Sequence, residues 1–320
     1  MKDNSKIQIY FPGWTKKSLT FTIDDGNIKM DTKFLDIIRS AGILGTFNLC
    51  DTSRATRDEY LELYKGYEIA NHCKHHPFVF EDGMKYQITD EPFDSNNSRD
   101  YTEDDPVVYK AETESLYKIH NIPTRIKPNG WFSITDKENY LRFSREAKCE
   151  LEDVFGKGSV KGFVWPYREQ NNSSLFEALT KEGYNSIRKT GEVGVSRNFD
   201  LPDDRMRWSY TATNRSMLNH MAEYEKYSDD GKLKFFAFGV HSYDFERDNN
   251  WCDLAEFANK YGNRPDDYYY ATVSDIFEYE DAVNALIVND SEIINNSDRK
   301  IYLSLSGKRV IIEPNSKLKC

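Results

Sequence analysis

The sequence lacks the long apolar segments and the paired cysteines that define two large classes of protein. No apolar run approaches the roughly 18 residues that a transmembrane helix needs, so no membrane span is predicted. The five cysteines are scattered and without Cys-x-x-Cys spacing, which argues against a disulfide framework. The chain start lacks the basic and apolar regions of a signal peptide, so we expect a cytoplasmic enzyme; a secreted enzyme whose leader had been removed would look the same.

Acidic residues outnumber basic ones, with 53 Asp and Glu against 43 Lys and Arg. A formal net charge of -10 argues against non-specific binding to nucleic acids and against adhesion to anionic membranes. By contrast, 38% hydrophobic residues are enough for a sizeable core, and 320 residues suit one large α/β domain with an appendage, or two modest domains.

Short apolar strands alternate with amphipathic helices along most of the chain. Leu19, Phe21 and Ile23 alternate with small polar residues, which predicts a strand that ends at Asp24. A helix capped by Asp31 should follow. Further strands are expected at 45–49, 67–70, 163–165, 184–188, 234–240 and 268–272, and further helices at 54–64, 136–155, 175–182, 254–261 and 273–286. This order implies βαβ units with a parallel sheet, and six or seven such units favour a barrel.

Two regions depart from this rhythm. Residues 81–128 are polar and rich in turn-forming residues, so we predict a loop-rich insertion that contains a short helix at about 111–119. After residue 286 the pattern changes to short apolar segments on either side of Ser306 and Gly307, which indicates a small β-rich C-terminal extension. We therefore divide the chain into a barrel over 1–286 and an extension over 287–320.

Residues with reactive side chains follow several of the predicted strands. Asp24 and Asp25 end one strand, His72 follows another, and His241 follows a third. Because the carboxyl ends of parallel barrel strands gather at one rim, where active sites form, these positions support one another. Taken singly, each has an ordinary explanation, since Asp25-Gly26 is a common turn and a lone histidine at a rim is usually structural.

His72 and His76 are the strongest individual signal. Residues four apart share one face of a helical turn, so both imidazoles can reach one ion, and a carboxylate would complete a set of two histidines and one carboxylate. With an open position for water, that is the ligand set of a hydrolytic metal centre. His75 also shares a face with His72 and is an alternative ligand, while Pro77 disfavours helix at His76.

Four segments resemble, in order, motifs of the polysaccharide deacetylases, the family-four carbohydrate esterases with the nodulation-protein-B homology domain. Residues 22–26, Thr-Ile-Asp-Asp-Gly, are similar to the motif Thr-Phe-Asp-Asp-Gly, and residues 72–77 are similar to His-(Ser/Thr)-x-x-His-Pro. Residues 164–167 resemble Arg-x-Pro-aromatic, and residues 240–241 resemble a hydrophobic residue followed by histidine. The resemblance extends over roughly 17–285 and implies a distorted (β/α)7 TIM-like barrel.

The resemblance also implies a role for each motif residue. Asp25, His72 and His76 would bind one divalent metal ion, most commonly Zn²⁺. Asp24 would be the general base and His241 the general acid. These roles agree with general chemistry, because a bound divalent ion brings the pKa of water to about 7 and an imidazole titrates near the working pH.

The third motif implies the substrate contacts and also departs from the family pattern. The residues that would line the substrate groove are Trp165, Pro166 and Tyr167, with the backbone N–H of Tyr167 near the oxyanion and Trp131 and the insertion narrowing the cleft. Val164 replaces the arginine that orients the catalytic aspartate in the family, and Arg188 or Arg168 is the candidate substitute. Nearby candidates for the aspartate and tryptophan that support the acid histidine are Asp200, Asp203, Asp204 and Trp208.

The function expected from this resemblance is a metal-dependent hydrolase that removes an acetyl group from an N-acetylated sugar or polysaccharide. The missing arginine and the acidic surface leave hydrolysis of a small non-sugar amide open as an alternative. Carbohydrate binding without catalysis is a second alternative, against which the intact Asp24 and His241 argue. A glycosyltransferase that uses Asp24 and Asp25 with a metal-bound nucleotide sugar lacks support, because no phosphate-binding glycine loop is present. The expected partners are a carbohydrate or a small amide, with no nucleic acid, and the sequence gives no oligomeric state.

Overall fold

The computed structural model describes residues 7–79, 87–88, 107–120, 132–167, 173–189, 199–228 and 230–319. Trp131, Arg168 and most of the insertion at 81–128 lie outside these residues, so the expectations for them stay predictions. The chain divides into two compact units. The first is formed by Met1–Phe47, Glu62–Glu68 and Glu192–Cys320, and the second by Asn48–Leu61 and Ile69–Gly191.

Eighteen strands and eight α-helices lie within the described residues. The strands are β1 (Ile7–Tyr10), β2 (Lys17–Asp24), β3 (Thr46–Leu49), β4 (Glu68–Asn71), β5 (Phe78–Val79), β6 (Gln87–Ile88), β7 (Val107–Lys110), β8 (Ser115–His120), β9 (Phe132–Thr135), β10 (Gly162–Val164), β11 (Ser186–Arg188), β12 (Lys234–His241), β13 (Tyr268–Tyr270), β14 (Ile287–Val288), β15 (Glu292–Asn295), β16 (Ile301–Leu305), β17 (Lys308–Ile312) and β18 (Ser316–Lys319). The helices are α1 (Ile28–Ile38), α2 (Arg57–Leu63), α3 (Lys137–Phe155), α4 (Ser173–Thr180), α5 (Met217–Lys226), α6 (Asp244–Arg247), α7 (Trp251–Tyr261) and α8 (Val273–Asn284).

In the first unit, β2 is the central strand, because β12 and β13 both pair with it in parallel. Its side chains are buried on both faces, with Leu19, Phe21 and Ile23 alternating with small hydroxyl residues. Phe21 packs edge-on against Phe34 of α1, with ring centroids 5.1 Å apart. Burying one such aromatic side chain stabilises a fold by about 1.5–3 kcal/mol, so the strand that ends at the candidate site is firmly held.

Helix α1 starts earlier than predicted. Asn27, not Asp31, is the N-cap, and its side-chain oxygen accepts a hydrogen bond from the Met30 N–H at 3.2 Å. Asp31 instead lies inside the first turn, fully buried, where it accepts a hydrogen bond from the Tyr64 hydroxyl at 2.6 Å. Asparagine is as good a capping residue as aspartate, and Asn27 follows directly on the turn at Asp25 and Gly26, so the helix begins there.

In the second unit, β10 pairs in parallel with both β4 and β11. Its register places Phe163 beside Asn71 and Val164 beside Arg188. The residues that follow β4 and β10 therefore leave the sheet at the same edge, which is the edge where parallel strands present functional loops.

The second unit also contains a five-stranded sheet with the order β5-β9-β7-β8-β6. The helix predicted at about 111–119 is wrong, because β7 and β8 form an antiparallel pair joined by a turn at 111–114. Glu114 takes a left-handed conformation with φ of 51°, which ends the turn and begins β8. Cross-strand pairing thus overrides the local preference for helix in this segment.

The seven-stranded sheet has the strand order β11-β10-β4-β3-β2-β12, with β13 also paired with β2. The predicted α/β class with a parallel sheet is confirmed, and seven strands agree with a distorted (β/α)7 fold. Every strand and helix predicted between 17 and 286, apart from the helix at 111–119, has a counterpart at the expected place.

The C-terminal residues form short antiparallel strands, as predicted. Strands β16 and β17 make a hairpin whose turn residues, Ser306 and Gly307, both have left-handed φ angles of 53° and 83°. Strand β1 pairs with β16, and Ile301 and Leu303 join a buried cluster that also contains Phe235 of β12. The division between a barrel ending at 286 and a separate extension stays a prediction.

Within the described ranges, no helix is both long enough and apolar enough to cross a membrane. The cysteines described there are free thiols, two buried and two exposed: Cys50, Cys73, Cys149 and Cys252.

Gly239 in β12 leaves no room for a Cβ atom unless the Tyr210 ring shifts. A Cβ atom at this position would lie 2.2 Å from Tyr210 Cδ1, and no side chain fits at that distance. We expect Gly239→Ala to lower the free energy of unfolding by about 1–3 kcal/mol, as overpacked cores do. Chemical denaturation of Gly239→Ala, Tyr210→Ala and the double variant measures this. If the double variant shows no favourable coupling, the contact with Tyr210 is not the cause.

Candidate active site

Asp24 and His241 lie side by side at the ends of two neighbouring strands. In the parallel register of β2 and β12, the final residue pair is Asp24 with His241. Side chains of paired residues on adjacent strands point to the same face of the sheet, so the carboxyl group and the imidazole share one face. Asp24 is 5% exposed, whereas the His241 side chain is about one-third exposed, at 34%.

Asp244 orients the His241 ring. Its Oδ2 atom lies 3.0 Å from His241 Nδ1 and accepts a second hydrogen bond, from the His241 backbone N–H, at 3.1 Å. Because a carboxylate oxygen can only accept, Nδ1 carries a proton, and Nε2 is the nitrogen that can exchange one. Arg247 Nη1 lies 2.7 Å from Asp244 Oδ1 and holds the carboxylate in turn.

The carboxylates around His241 raise its pKa. Burial alone lowers the pKa of this imidazole, but the hydrogen bond with Asp244 and the charges of Asp25 and Asp24 outweigh burial and bring the pKa to about 9. In the absence of a bound cation, the ring is therefore protonated at neutral pH.

Asp25 turns the chain out of β2. Asp25 and Gly26 both have left-handed φ angles, of 75° and 63°, a conformation that aspartate tolerates better than most residues. Asp25 Oδ2 accepts a hydrogen bond from the Tyr243 hydroxyl at 2.8 Å and lies 3.6 Å from His241 Nε2. Neither Tyr243 nor Asp244 was predicted as a site residue, although both lie within three residues of His241.

In the second unit, a backbone carbonyl fixes the tautomer of His72. The ring is buried, with 1% of its surface exposed, and Nδ1 lies 2.9 Å from the carbonyl oxygen of Val164. A carbonyl can only accept, so Nδ1 carries the proton and Nε2 of the neutral ring carries the lone pair. This arrangement, in which one ring nitrogen is bound to a carbonyl and the other is a Lewis base, is typical of metal-binding histidines.

His76 is brought back towards His72 by a tight loop and not by a helical turn, so the predicted helical geometry is wrong. Cys73, His75 and His76 all have left-handed φ angles, of 59°, 64° and 47°. The His72 and His76 rings nevertheless meet, with centroids 4.8 Å apart. Left-handed residues other than glycine cost about 1–3 kcal/mol each and cluster at functional sites, where surrounding contacts enforce them.

Asn71 anchors this loop. Its side-chain amide donates to the Ser144 carbonyl and the Tyr184 hydroxyl, both at 2.7 Å, and its Oδ1 accepts from the Cys73 N–H at 2.8 Å. His75 packs edge-on against Phe143, with centroids 4.8 Å apart, which makes it a packing residue.

Asp25, His72 and His76 are the one group of three potential metal-ligating residues found among the described residues. One ligand atom from each, a carboxylate oxygen or a ring nitrogen, lies within 4.8 Å of the others. Two imidazoles and one carboxylate suit a divalent ion such as Zn²⁺. His75, the alternative ligand considered from the sequence, does not belong to the group.

The third motif divides into two buried residues and one exposed residue. Trp165 is 1% exposed and stacks on Tyr140 at 5.7 Å, so its ring belongs to the core, and Pro166 is also buried. Tyr167 is 41% exposed, has a left-handed φ of 59°, and packs against His76 with ring centroids 4.6 Å apart. Tyr167 is therefore the residue of this motif that offers aromatic surface to solvent.

Arg188 is fully buried in β11, directly beside Val164. A buried guanidinium has to be matched by acceptors or by charge.

The other candidate supports for His241 lie elsewhere in the first unit. Asp200 forms an ion pair at 2.6 Å with Lys234, at the opposite end of β12 from His241. Asp204 caps a 3₁₀ turn by accepting from the Met206 N–H, and Trp208 packs in the core against Phe277. Asp203 is exposed.

Residues 13–187, more than half of the chain, match the family model described as polysaccharide deacetylase. No curated protein matches the sequence.

Matches among solved structures have low sequence identity. A family 4 carbohydrate esterase from Bacillus anthracis is 16% identical with a TM-score of 0.42, covering 85% of this chain and 86% of that chain. The peptidoglycan deacetylase PdaC from Bacillus subtilis is 14% identical with a TM-score of 0.41, covering 87% and 94%. The Xyl-CE4 domain of a multidomain xylanase from the hindgut metagenome of Trinervitermes trinervoides is 14% identical with a TM-score of 0.42, covering 83% and 92%.

Asp244→Asn is predicted to lower the pKa of His241 in the metal-free protein from about 9, because a neutral amide stabilises the imidazolium less than a carboxylate does. The raised pKa contributes stability that is complete below pH 6.5 and is lost as the pH rises through about 9, so the variant should lose the part of this pH dependence that Asp244 supplies, while Asp25 and Asp24 keep the rest. NMR titration of the His241 ring measures the pKa, and chemical denaturation at a series of pH values measures the free energy of unfolding. Asp266→Asn, at an exposed position, is the control, and an unchanged His241 pKa in Asp244→Asn would contradict the assignment.

Proposed function

Because this chain belongs to the polysaccharide deacetylase family, we propose that it is a metal-dependent hydrolase that removes an acetyl group from an N-acetylated sugar or polysaccharide. Members of this family are hydrolases that act on amide C–N bonds. The observation that carries the proposal is the group of Asp25, His72 and His76, with Asp24 and His241 paired on neighbouring strands.

The residues present fit a divalent metal ion. Asp25, His72 and His76 would hold it through one carboxylate oxygen and two ring nitrogens. Because His72 Nδ1 is hydrogen-bonded to the Val164 carbonyl, Nε2 would be the ligand atom of His72. When bound, such an ion lowers the pKa of water and polarises the amide carbonyl. Zn²⁺ is the ion that this donor set favours.

Asp24 and His241 supply the proton transfers. Asp24 would accept the proton of the attacking water, a task that suits a carboxylate that is not itself a ligand. His241 would donate a proton from Nε2 to the departing amine, because Nδ1 is committed to Asp244. Two adjacent carboxylates allow one residue to bind the ion while the other moves a proton.

Tyr167 would contact the substrate. Its exposed ring is suited to stacking on a sugar, and its backbone N–H would stabilise the oxyanion that forms at the acetyl carbonyl. Pro166 restricts the backbone immediately before Tyr167. Trp165, which is buried in the core, would support the same loop.

We predict that the purified protein releases acetate from N-acetylglucosamine oligomers or peptidoglycan, that a chelator abolishes the release, and that added Zn²⁺ restores it. Asp24→Asn should lower kcat by about 10²–10⁴-fold with zinc content unchanged, since a general base contributes about that much. His72→Ala should lose both zinc and activity. An enzymatic acetate assay combined with metal analysis measures these outcomes.

The same assay separates the alternatives. Release from small amides alone would favour the non-sugar amide hydrolase, and carbohydrate binding without acetate release would favour a non-catalytic protein. Acetate release that persists in His72→Ala or after chelation would contradict the proposed metal centre.

We predict that Arg188 replaces the arginine missing from the third motif. Arg188→Ala should lower kcat/KM by about 10–100-fold, the usual effect of removing a group that orients a site residue. Arg142→Ala, which removes an exposed arginine from the same unit, is the control. Steady-state kinetics with a check of the folded state decides this, and full activity in folded Arg188→Ala would exclude the role.

A further inference from the structure

Tyr243 touches two residues of the proposed site at once. Its hydroxyl donates a hydrogen bond to Asp25 Oδ2 at 2.8 Å, and its ring is stacked on His241 with centroids 4.7 Å apart and planes inclined by 13°. Both contacts lie within the first unit, so they depend on a single folded body.

The position of Tyr243 follows from the loop after β12. His241 ends the strand, and Asp244 opens helix α6 and bonds back to the His241 N–H and ring. This closed turn carries Tyr243 under the imidazole and directs its hydroxyl to Asp25. Asp244 and Tyr243 therefore restrain His241 from two directions, one through the edge of the ring and one through its face.

Packing alone does not account for this residue. The stacking on His241 needs only the aromatic ring, which phenylalanine would supply equally well. The hydroxyl, by contrast, is needed for the hydrogen bond to Asp25. A hydrogen bond to a charged group contributes about 1.5–3 kcal/mol of stabilisation. The charged groups that interact electrostatically with the Tyr243 hydroxyl are the carboxylates of Asp24, Asp25 and Asp244.

We propose that Tyr243 is a positioning residue that holds the metal ligand Asp25 and the acid His241 in one arrangement, an inference that rests on the proposed function. The hydroxyl fixes the orientation of the Asp25 carboxylate before an ion binds. The side chain of Asp25 therefore loses less conformational entropy when the ion binds. Mutation of a residue that hydrogen-bonds to a metal ligand commonly lowers metal affinity by about 10–100-fold. The ring keeps the imidazole in the plane that Asp244 selects.

The test is a comparison of zinc affinities by competition with a chromogenic chelator, using the full chain. Tyr243→Phe removes the hydroxyl and keeps the ring, and we expect it to bind Zn²⁺ about 10-fold more weakly than the unchanged protein. The matched control is Tyr10→Phe, whose lost hydroxyl donates only to the exposed Gln8 side chain at 2.8 Å, and its affinity should not change.

Kinetics at saturating Zn²⁺ separate the two contacts. Tyr243→Phe should recover a kcat close to that of the unchanged protein, because the stacked ring remains. Tyr243→Leu should keep a reduced kcat at every zinc concentration, with KM little changed, because His241 loses the face contact. Thermal unfolding of the metal-free variants checks that both are folded.

Unaltered zinc affinity in Tyr243→Phe, or equal weakening in Tyr10→Phe, would overturn the proposal. If the unchanged protein binds Zn²⁺ but releases no acetate from any substrate, the proposed function fails while the affinity comparison still decides the role of Tyr243. If the unchanged protein binds no Zn²⁺, the metal centre and the role of Tyr243 are overturned together.

Discussion

The parallel pairing of β2 with β12 is the constraint on which the first half of the site depends. Its eight residue pairs run from Lys17 with Lys234 to Asp24 with His241, so a shift of one residue would separate the carboxyl group from the imidazole. Burial of β2 on both faces fixes this register, because a shift of one residue would turn every apolar side chain to the wrong face. The steric contact between Gly239 and Tyr210 restrains β12 two residues before His241.

Local contacts then set the chemistry at the strand ends. His241 receives its orientation from Asp244 and Tyr243, which belong to its own loop, and His72 receives its tautomer from the carbonyl of Val164. The Val164 contact uses only the backbone, so it survives the replacement of the family's arginine by valine at this position. Valine at this position therefore leaves the orientation of His72 undisturbed.

Much of the fold follows from short-range patterns in the sequence. Alternating and helical periodicities located the strands and helices because burial of one face, or of both, is a local requirement. The residues proposed for catalysis and metal binding were also identified from the sequence, because the segments that contain them resemble the family's motifs in order and spacing. The helix predicted at 111–119 failed because the pairing of β7 with β8 is decided by contact with another strand.

The sequence by itself determined which residues stand at the strand ends, since motif order and spacing are properties of the chain. Tertiary structure alone decided how they are supported. Asp200 and Trp208 were reasonable partners for His241 by position, yet Asp200 pairs with Lys234 and Asp244 supports the ring. The reason is physical: hydrogen-bond partners are chosen by distance and direction in the folded molecule, and left-handed turns such as those at Asp25 and His76 redirect side chains in ways that residue spacing does not encode.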